Sequence, residues 1–204
     1  MPHPPRQRFV PMVRIETERL TLRPFRSTDA GEFSRLAGDW AVASMTSDIP
    51  FPFSRRQAFG WLTPMRGEVR FAIERDGQLI GGAGFYRKVT GAAELGFWLG
   101  RAWWGRGFAT EAARAVLREG LKNPRLPGYS SAHFVDNPAS ARVLRKLGFE
   151  PVARARIACS ARGCDVEAIT YWLDRQDAQQ RLQGVVLRET PRSRWRVWLD
   201  RLEL

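Results

Sequence analysis

Cysteine is scarce: Cys159 and Cys164 are the only two in 204 residues. That excludes a disulfide framework and a closed zinc site built on thiolates. Long apolar runs are missing too, so nothing in the sequence reads as a helix that crosses a bilayer. The first thirteen residues carry prolines and arginines but no apolar core segment, which argues against a signal peptide. A cytoplasmic protein without membrane attachment is the simplest expectation. Lysine occurs only at Lys88, Lys122 and Lys146, so the net charge of +12 is almost entirely arginine. Such a charge draws the surface to something anionic, such as ribosomal RNA or a nucleotide cofactor. Arginine-rich genome composition, with a gain in solubility, is the simpler explanation, because the arginines are scattered rather than grouped. Internal repeats and low-complexity stretches are absent from the middle of the chain.

What is present suffices for one α/β domain, with 44% hydrophobic residues to build a core. Residues 1–13 read as a loose leader, 14–175 as the domain and 176–204 as a basic, Trp-bearing extension that is either an added helix or a tail. The alternation in Arg19 to Arg26, RLTLRPFR, predicts a strand with one buried face. Ser-Thr-Asp ending at Asp29 opens a helix over Ala30 to Gly38, and Ser54 caps another running to Leu62. Asp76-Gly77 joins strands over Arg70 to Arg75 and Leu79 to Tyr86 as a hairpin, and Ala92 to Leu99 is a third strand. Glu111 to Leu121 has one apolar helical face. Tyr129 to Val135 is a strand, and Asn137-Pro138 opens a helix closed by Gly148. A last pair, Pro151 to Ile157 and Val166 to Leu173, flanks a turn over Ser160 to Gly163. The order predicts a mixed sheet with helices packed on it.

The most informative segment is Trp103-Trp104-Gly105-Arg106-Gly107-Phe108-Ala109-Thr110-Glu111-Ala112, set between a strand and a helix. Glycines two apart let the backbone approach a diphosphate, and the helix start offers unpaired N–H groups and its positive dipole end. Arg106 adds charge and Thr110 a hydroxyl. A Rossmann fingerprint would need a third glycine, and a P-loop would need Gly-Lys-Ser/Thr, which is absent.

About thirty residues further on stands Asp136-Asn137-Pro138-Ala139-Ser140-Ala141-Arg142-Val143-Leu144-Arg145-Lys146-Leu147-Gly148-Phe149. ELGFWLG with WWGRGFATEA, followed by NPASARVLRKLGFE, resembles the GNAT superfamily of N-acetyltransferases. The nearest likeness is the branch of ribosomal-protein alanine and serine N-acetyltransferases, and it runs from roughly Ile15 to Arg175. The resemblance implies an α+β fold: a mostly antiparallel central sheet with helices on both faces and a splayed parallel strand pair. It implies acetyl-CoA as cosubstrate and no metal. The pantetheine arm would fill the wedge beside Phe97, Trp98 and Leu99, pairing with backbone groups of Phe97 and Leu99. The pyrophosphate would rest on the amides of Trp104, Gly105, Arg106, Gly107, Phe108, Ala109 and Thr110, and Asn137 would bond the arm. Two departures from the family pattern stand out. Trp104 replaces the usual Gln or Arg, and Leu144 occupies the place of the tyrosine that protonates the leaving thiolate. Ser140 is then the donor suggested by the resemblance, the other reading being a helix residue whose hydroxyl only touches the cofactor.

Amine acetylation needs a base, for which Glu94 is the candidate, directly or through a water. A structural carboxylate paired with an arginine is the competing reading. His133 stands second. An amide near Phe97 to Leu99 would stabilise the oxyanion. Trp98, Trp103, Phe51 and Phe53 are candidates for the acceptor wall, with one or two expected to face the cleft. Neither cysteine lies near a histidine in sequence, which argues against an acyl-cysteine route. The implied acceptor is an amine: a ribosomal protein or other polypeptide N-terminus, with ribosome association, or a small molecule such as an amino acid or aminoglycoside. A non-catalytic module that binds nucleotide or RNA is the rival of another class. Monomer and homodimer are both open.

Overall fold

The computed structural model describes residues 14–62, 67–88, 91–185 and 187–190. The expected leader over 1–13 and the end of the extension from 191 onward lie outside them. The elements are β1 (Arg14–Glu16), β2 (Thr21–Arg23), α1 (Ala30–Ala37), α2 (Trp40–Ala43), α3 (Arg55–Trp61), β3 (Glu68–Arg75), β4 (Gln78–Arg87), β5 (Ala93–Leu99), α4 (Phe108–Gly120), β6 (Gly128–Phe134), α5 (Pro138–Leu147), β7 (Glu150–Cys159), β8 (Cys164–Asp174), α6 (Arg175–Arg181) and β9 (Arg188–Thr190).

Local chemistry accounts for most boundaries. Ser54 and Gln57 exchange bonds across the start of α3, each satisfying an amide of the other. Asn137 caps α5 with Pro138 in its first turn, and Gly148 ends it at φ 90°. Asp76 and Gly77 both take positive φ in the β3–β4 turn, the conformation that a two-residue hairpin requires. Most strand ends shift by one or two residues from those expected of the sequence, and two boundaries differ by more. Helix α4 begins at Phe108 rather than Glu111, because left-handed Gly107 (φ 80°) ends the turn and serves as its N-cap. The first strand shrinks to β2, because Arg23 is buried beside Leu22 instead of facing water, and Pro24 cannot extend the ladder. Arg23 is held there by Asp29 at 2.8 Å and Glu74 at 2.5 Å, which is how a buried guanidinium is made tolerable.

Nine strands form one sheet in the order β7-β8-β6-β5-β4-β3-β2-β1-β9. Every pairing is antiparallel except β5 with β6. Alternation along β3 sends Phe71 and Ile73 to one face and Ala72 to the other. The first face packs on α4 and α5 through Val116, Leu117 and Leu144. The second packs on α1 and α3 through Phe33, Leu36 and Ala58. Helices thus cover both faces, as the resemblance implied. Beyond residue 175 the chain folds back: Ala178 and Leu182 join the first core, and β9 adds to the edge at β1. No helix among the described residues is long and apolar enough to cross a membrane.

Candidate active site

Strands β5 and β6 pair only through Ala93 with Tyr129 and Glu94 with Ser130. Beyond that they part, while β5 stays paired to β4 all the way to Leu99. Ser131 sits at the fork and donates its hydroxyl to the Leu95 carbonyl at 2.9 Å, replacing the first missing ladder bond. The amide of Gly100 donates to Ile80, so residues 94, 96 and 98 take the positions bonded to β4. The N–H and C=O groups of Phe97 and Leu99 therefore face the opening. Gly96, in the middle of a nine-stranded sheet, is exposed. A wedge one strand wide has been left in the sheet.

The wedge belongs to a cleft of about 780 Å³ that runs from the turn at Gly105 and Gly107 to the far end of β4. At the turn, Gly105 (φ 75°) and Gly107 (φ 80°) both lie in the left-handed region, where a side chain costs about 1 kcal/mol or more. The first amide of α4 with a helical acceptor is Glu111, bonded to the Gly107 carbonyl at 3.1 Å. The amides of Gly105, Arg106, Gly107, Phe108, Ala109 and Thr110 donate to no acceptor among the described residues. Such a row of unpaired donors at a helix start suits a diphosphate. Trp104 stands beside it, with its indole N–H donating to the Leu99 carbonyl at 2.7 Å. One acceptor position of Leu99 is therefore taken by the protein itself, and the aromatic ring locks the strand end to the turn.

Asn137 and Ser140 lie on the opposite wall. The Asn137 Oδ1 accepts from the Ser140 amide at 3.1 Å, which leaves its NH2 group and one oxygen lone pair for a ligand. The Ser140 hydroxyl has no partner among the described residues. Leu144 is fully buried in the core behind it and has no proton to give.

Alternation along β5 sends Glu94, Gly96 and Trp98 to the α1 side of the sheet, away from α4. Trp98 stacks on Phe33 at 5.0 Å and lies over Gly82. Nothing lies within 4 Å of where a Gly96 Cβ would be, so Glu94 and Trp98 flank an open floor. Glu94 ion-pairs with Lys88 and accepts a hydrogen bond from the Tyr86 phenol directly opposite on β4. Partial burial, then the charge and hydrogen bond of Glu94, then Asp48, hold the Tyr86 phenol well above its ordinary pKa. Tyr86 therefore remains a donor at any physiological pH.

The remaining candidates sort plainly. His133 is buried, with Nδ1 2.7 Å from the Phe134 carbonyl and Nε2 3.1 Å from the Tyr171 hydroxyl. Both ring nitrogens are engaged, so it is structural. Trp103 and Trp98 line the cleft. Phe53 is a core residue, and Phe51 packs outside on Trp40 at 5.0 Å. Cys159 is buried against the Ser44 and Thr46 carbonyls, Cys164 is exposed, and both are free thiols. Among the described residues no group of His, Cys, Asp and Glu could hold a metal ion.

Residues 19–150 match the family described as the acetyltransferase (GNAT) domain. The chain belongs to the GNAT acetyltransferase family. It is accordingly an acyltransferase. An uncharacterized N-acetyltransferase of Bacillus subtilis, YoaA, is 32% identical over 146 residues, 67% of this chain and 82% of the relative. Among solved structures, the fold is shared with RimL, a ribosomal L7/L12 alpha-N-protein acetyltransferase in complex with coenzyme A. That likeness has TM-score 0.66 and 18% identity over 79% of this chain and 97% of the other. It is shared also with MccE, a microcin C7 self-immunity acetyltransferase in complex with acetyl-CoA and AMP. Here the TM-score is 0.68, with 17% identity over 78% and 93% of the two chains.

Two residues of this GNAT cleft carry no functional signal in the sequence. Tyr86 reads there only as the end of a strand, although the short β4–β5 connection places it opposite Glu94. Ser131 has no signal at all, because its role depends on where two strands part.

Proposed function

We propose that the protein transfers an acetyl group from acetyl-CoA to the α-amine of a polypeptide by direct attack in a ternary complex. The observation that carries this reading is the continuity of the cleft. Six unpaired amides at the phosphate turn lead along the wedge-facing backbone edge of Phe97 and Leu99 to Glu94. A diphosphate joined to an amide-bearing arm fits that path: the turn matches the anion and the strand edge matches the amides.

The bound thioester would supply an activated acyl carbon, and the chain does the rest. Holding two reactants in line supplies most of the acceleration. Glu94, directly or through a water, accepts the proton that the incoming ammonium must lose. Lys88 and Tyr86 orient its carboxylate. A wedge-facing amide at Phe97 or Leu99 stabilises the charge that develops on the carbonyl oxygen. Ser140 or water returns a proton to the departing sulfur.

A polypeptide acceptor is favoured by the α-N-protein activity named for RimL and by the basic surface, which suits docking on a ribosome. MccE, named for self-immunity to a microcin, stands for the small-molecule alternative. Thiol release from acetyl-CoA tests the reading against two panels, N-terminal peptides and small amines. Turnover with peptides beginning in Ala or Ser, at a kcat/KM well above that of free amino acids, is expected. Turnover confined to a small amine would move the acceptor to the other class. Thiol release with no amine would overturn amine transfer.

A further inference from the structure

The mechanism leaves one well-built cluster unused, on the outer side of the phosphate turn. Glu111, in the first turn of α4, accepts three bonds from the loop between β1 and β2. They come from the Thr17 hydroxyl at 2.6 Å, the Arg19 amide at 2.8 Å and the Arg19 Nε at 2.7 Å. Arg19 Nη2 adds a fourth contact at 2.7 Å. The remaining guanidinium nitrogen, Nη1, donates to the Arg106 carbonyl at 3.1 Å. The guanidinium also lies over the Phe108 ring, 4.8 Å from its centre.

We infer that Arg19, locked by Glu111, is a positioning residue that aims the phosphate turn. In a planar trans peptide the C=O and the following N–H point in opposite directions. Drawing the Arg106 carbonyl outward to Arg19 therefore turns the Gly107 amide inward, toward the anion site. Glycine in the left-handed region has little conformational preference of its own, so without this bond the Arg106–Gly107 peptide is free to flip. The clamp spans the N-terminal segment and the turn, which explains why a carboxylate is tolerated at the edge of an anion site. Aiming of this kind presupposes the acetyl-CoA reading above.

The sign of one variant separates aiming from direct charge. If Arg19 only attracted the diphosphate, removing the nearby Glu111 charge would tighten binding. Aiming predicts the reverse. Coenzyme A binding is measured by calorimetry for the full chain, for Arg19→Met and for Glu111→Ala, with thermal stability recorded alongside. Use of acetyl-pantetheine, which lacks the diphosphate, is measured as the second readout. Both variants should weaken coenzyme A binding by about tenfold or more while acetyl-pantetheine use is unchanged. Glu111→Ala that binds as tightly as the parent, or more tightly, overturns the inference. So does an equal loss with both thioesters, which would mark general damage. Should Glu111→Ala fail to fold, Arg19→Lys decides. It keeps the charge but lacks the planar fork whose separate nitrogens reach Glu111 and Arg106 at once, so parental affinity in that variant overturns aiming as well. No coenzyme A binding by the unaltered protein would instead sink the cofactor reading itself.

Discussion

The two ends of the cleft are built from different materials. The phosphate turn is main chain: six amides within one short segment, shaped by two glycines at positive φ. The end proposed for the acceptor is side chains gathered from distant places, with Asp48, Tyr86 and Glu94 coming from three separate elements or loops. The first end presents backbone geometry to a ligand, shaped by the two glycines and held from outside by Arg19 and Glu111. The second end can be rebuilt one residue at a time without disturbing the first. One fold can therefore keep a cofactor and exchange acceptors.

The largest expected effect tests the backbone end. Gly107→Val puts a β-branched residue at φ 80°, where it is a steric outlier. The chain there should abandon the left-handed conformation and misdirect the amides. Coenzyme A affinity should fall by more than about 100-fold, while the circular dichroism spectrum stays native. Unchanged calorimetric affinity would show that the turn does not carry the diphosphate.

The next effect belongs to the side-chain end. Glu94→Gln keeps the shape but removes the proposed proton acceptor, so kcat should fall by about 100-fold with acetyl-CoA affinity unchanged. A parental pH–rate profile in this variant would remove Glu94 from the chemistry. Tyr86→Phe gives a smaller effect. The phenol hydrogen-bonds the Glu94 carboxylate, and a hydrogen bond to a charged group is worth about 1.5 kcal/mol or more, so kcat should fall by about tenfold while coenzyme A affinity is unchanged. A parental kcat would mean that the pair does not act together.

The same division explains which parts of the site are legible in the sequence. GRG between a strand and a helix, and Asn137-Pro138 before another, are local signals, since capping and positive φ are decided within a few residues. Both motifs can therefore be placed from the order of residues alone. The resemblance adds the splayed strand pair, which no periodicity could indicate. Burial of Arg23 with Asp29 and Glu74 is hidden because an arginine in an alternating strand reads as solvent-facing. Tyr86 and Ser131 are hidden for a related reason: their roles arise from strand register and strand divergence, which are tertiary facts. His133 looks available because sequence does not show that both ring nitrogens are occupied.

Ser140 should give the smallest effect, and it bears on where the two ends meet. Its amide holds the Asn137 cap, and a main-chain donor survives substitution, so Ser140→Ala should leave α5 and cofactor binding intact. Its hydroxyl has no partner among the described residues and lines the cleft, free to return a proton to sulfur. A thiolate is a far weaker base than an alkoxide, the cysteine thiol titrating at about 8.5, so its departure needs little help from an acid. Water in an open wedge can supply the same proton. The variant should therefore lose only about fivefold in kcat, since a single neutral hydrogen bond is worth about 1 kcal/mol. Presteady-state thiol release from the loaded enzyme measures this directly. A loss approaching that of Glu94→Gln would make Ser140 a true general acid and extend side-chain chemistry into the cofactor half. No loss at all would leave protonation to water and confine the chain's chemistry to the β5 wall.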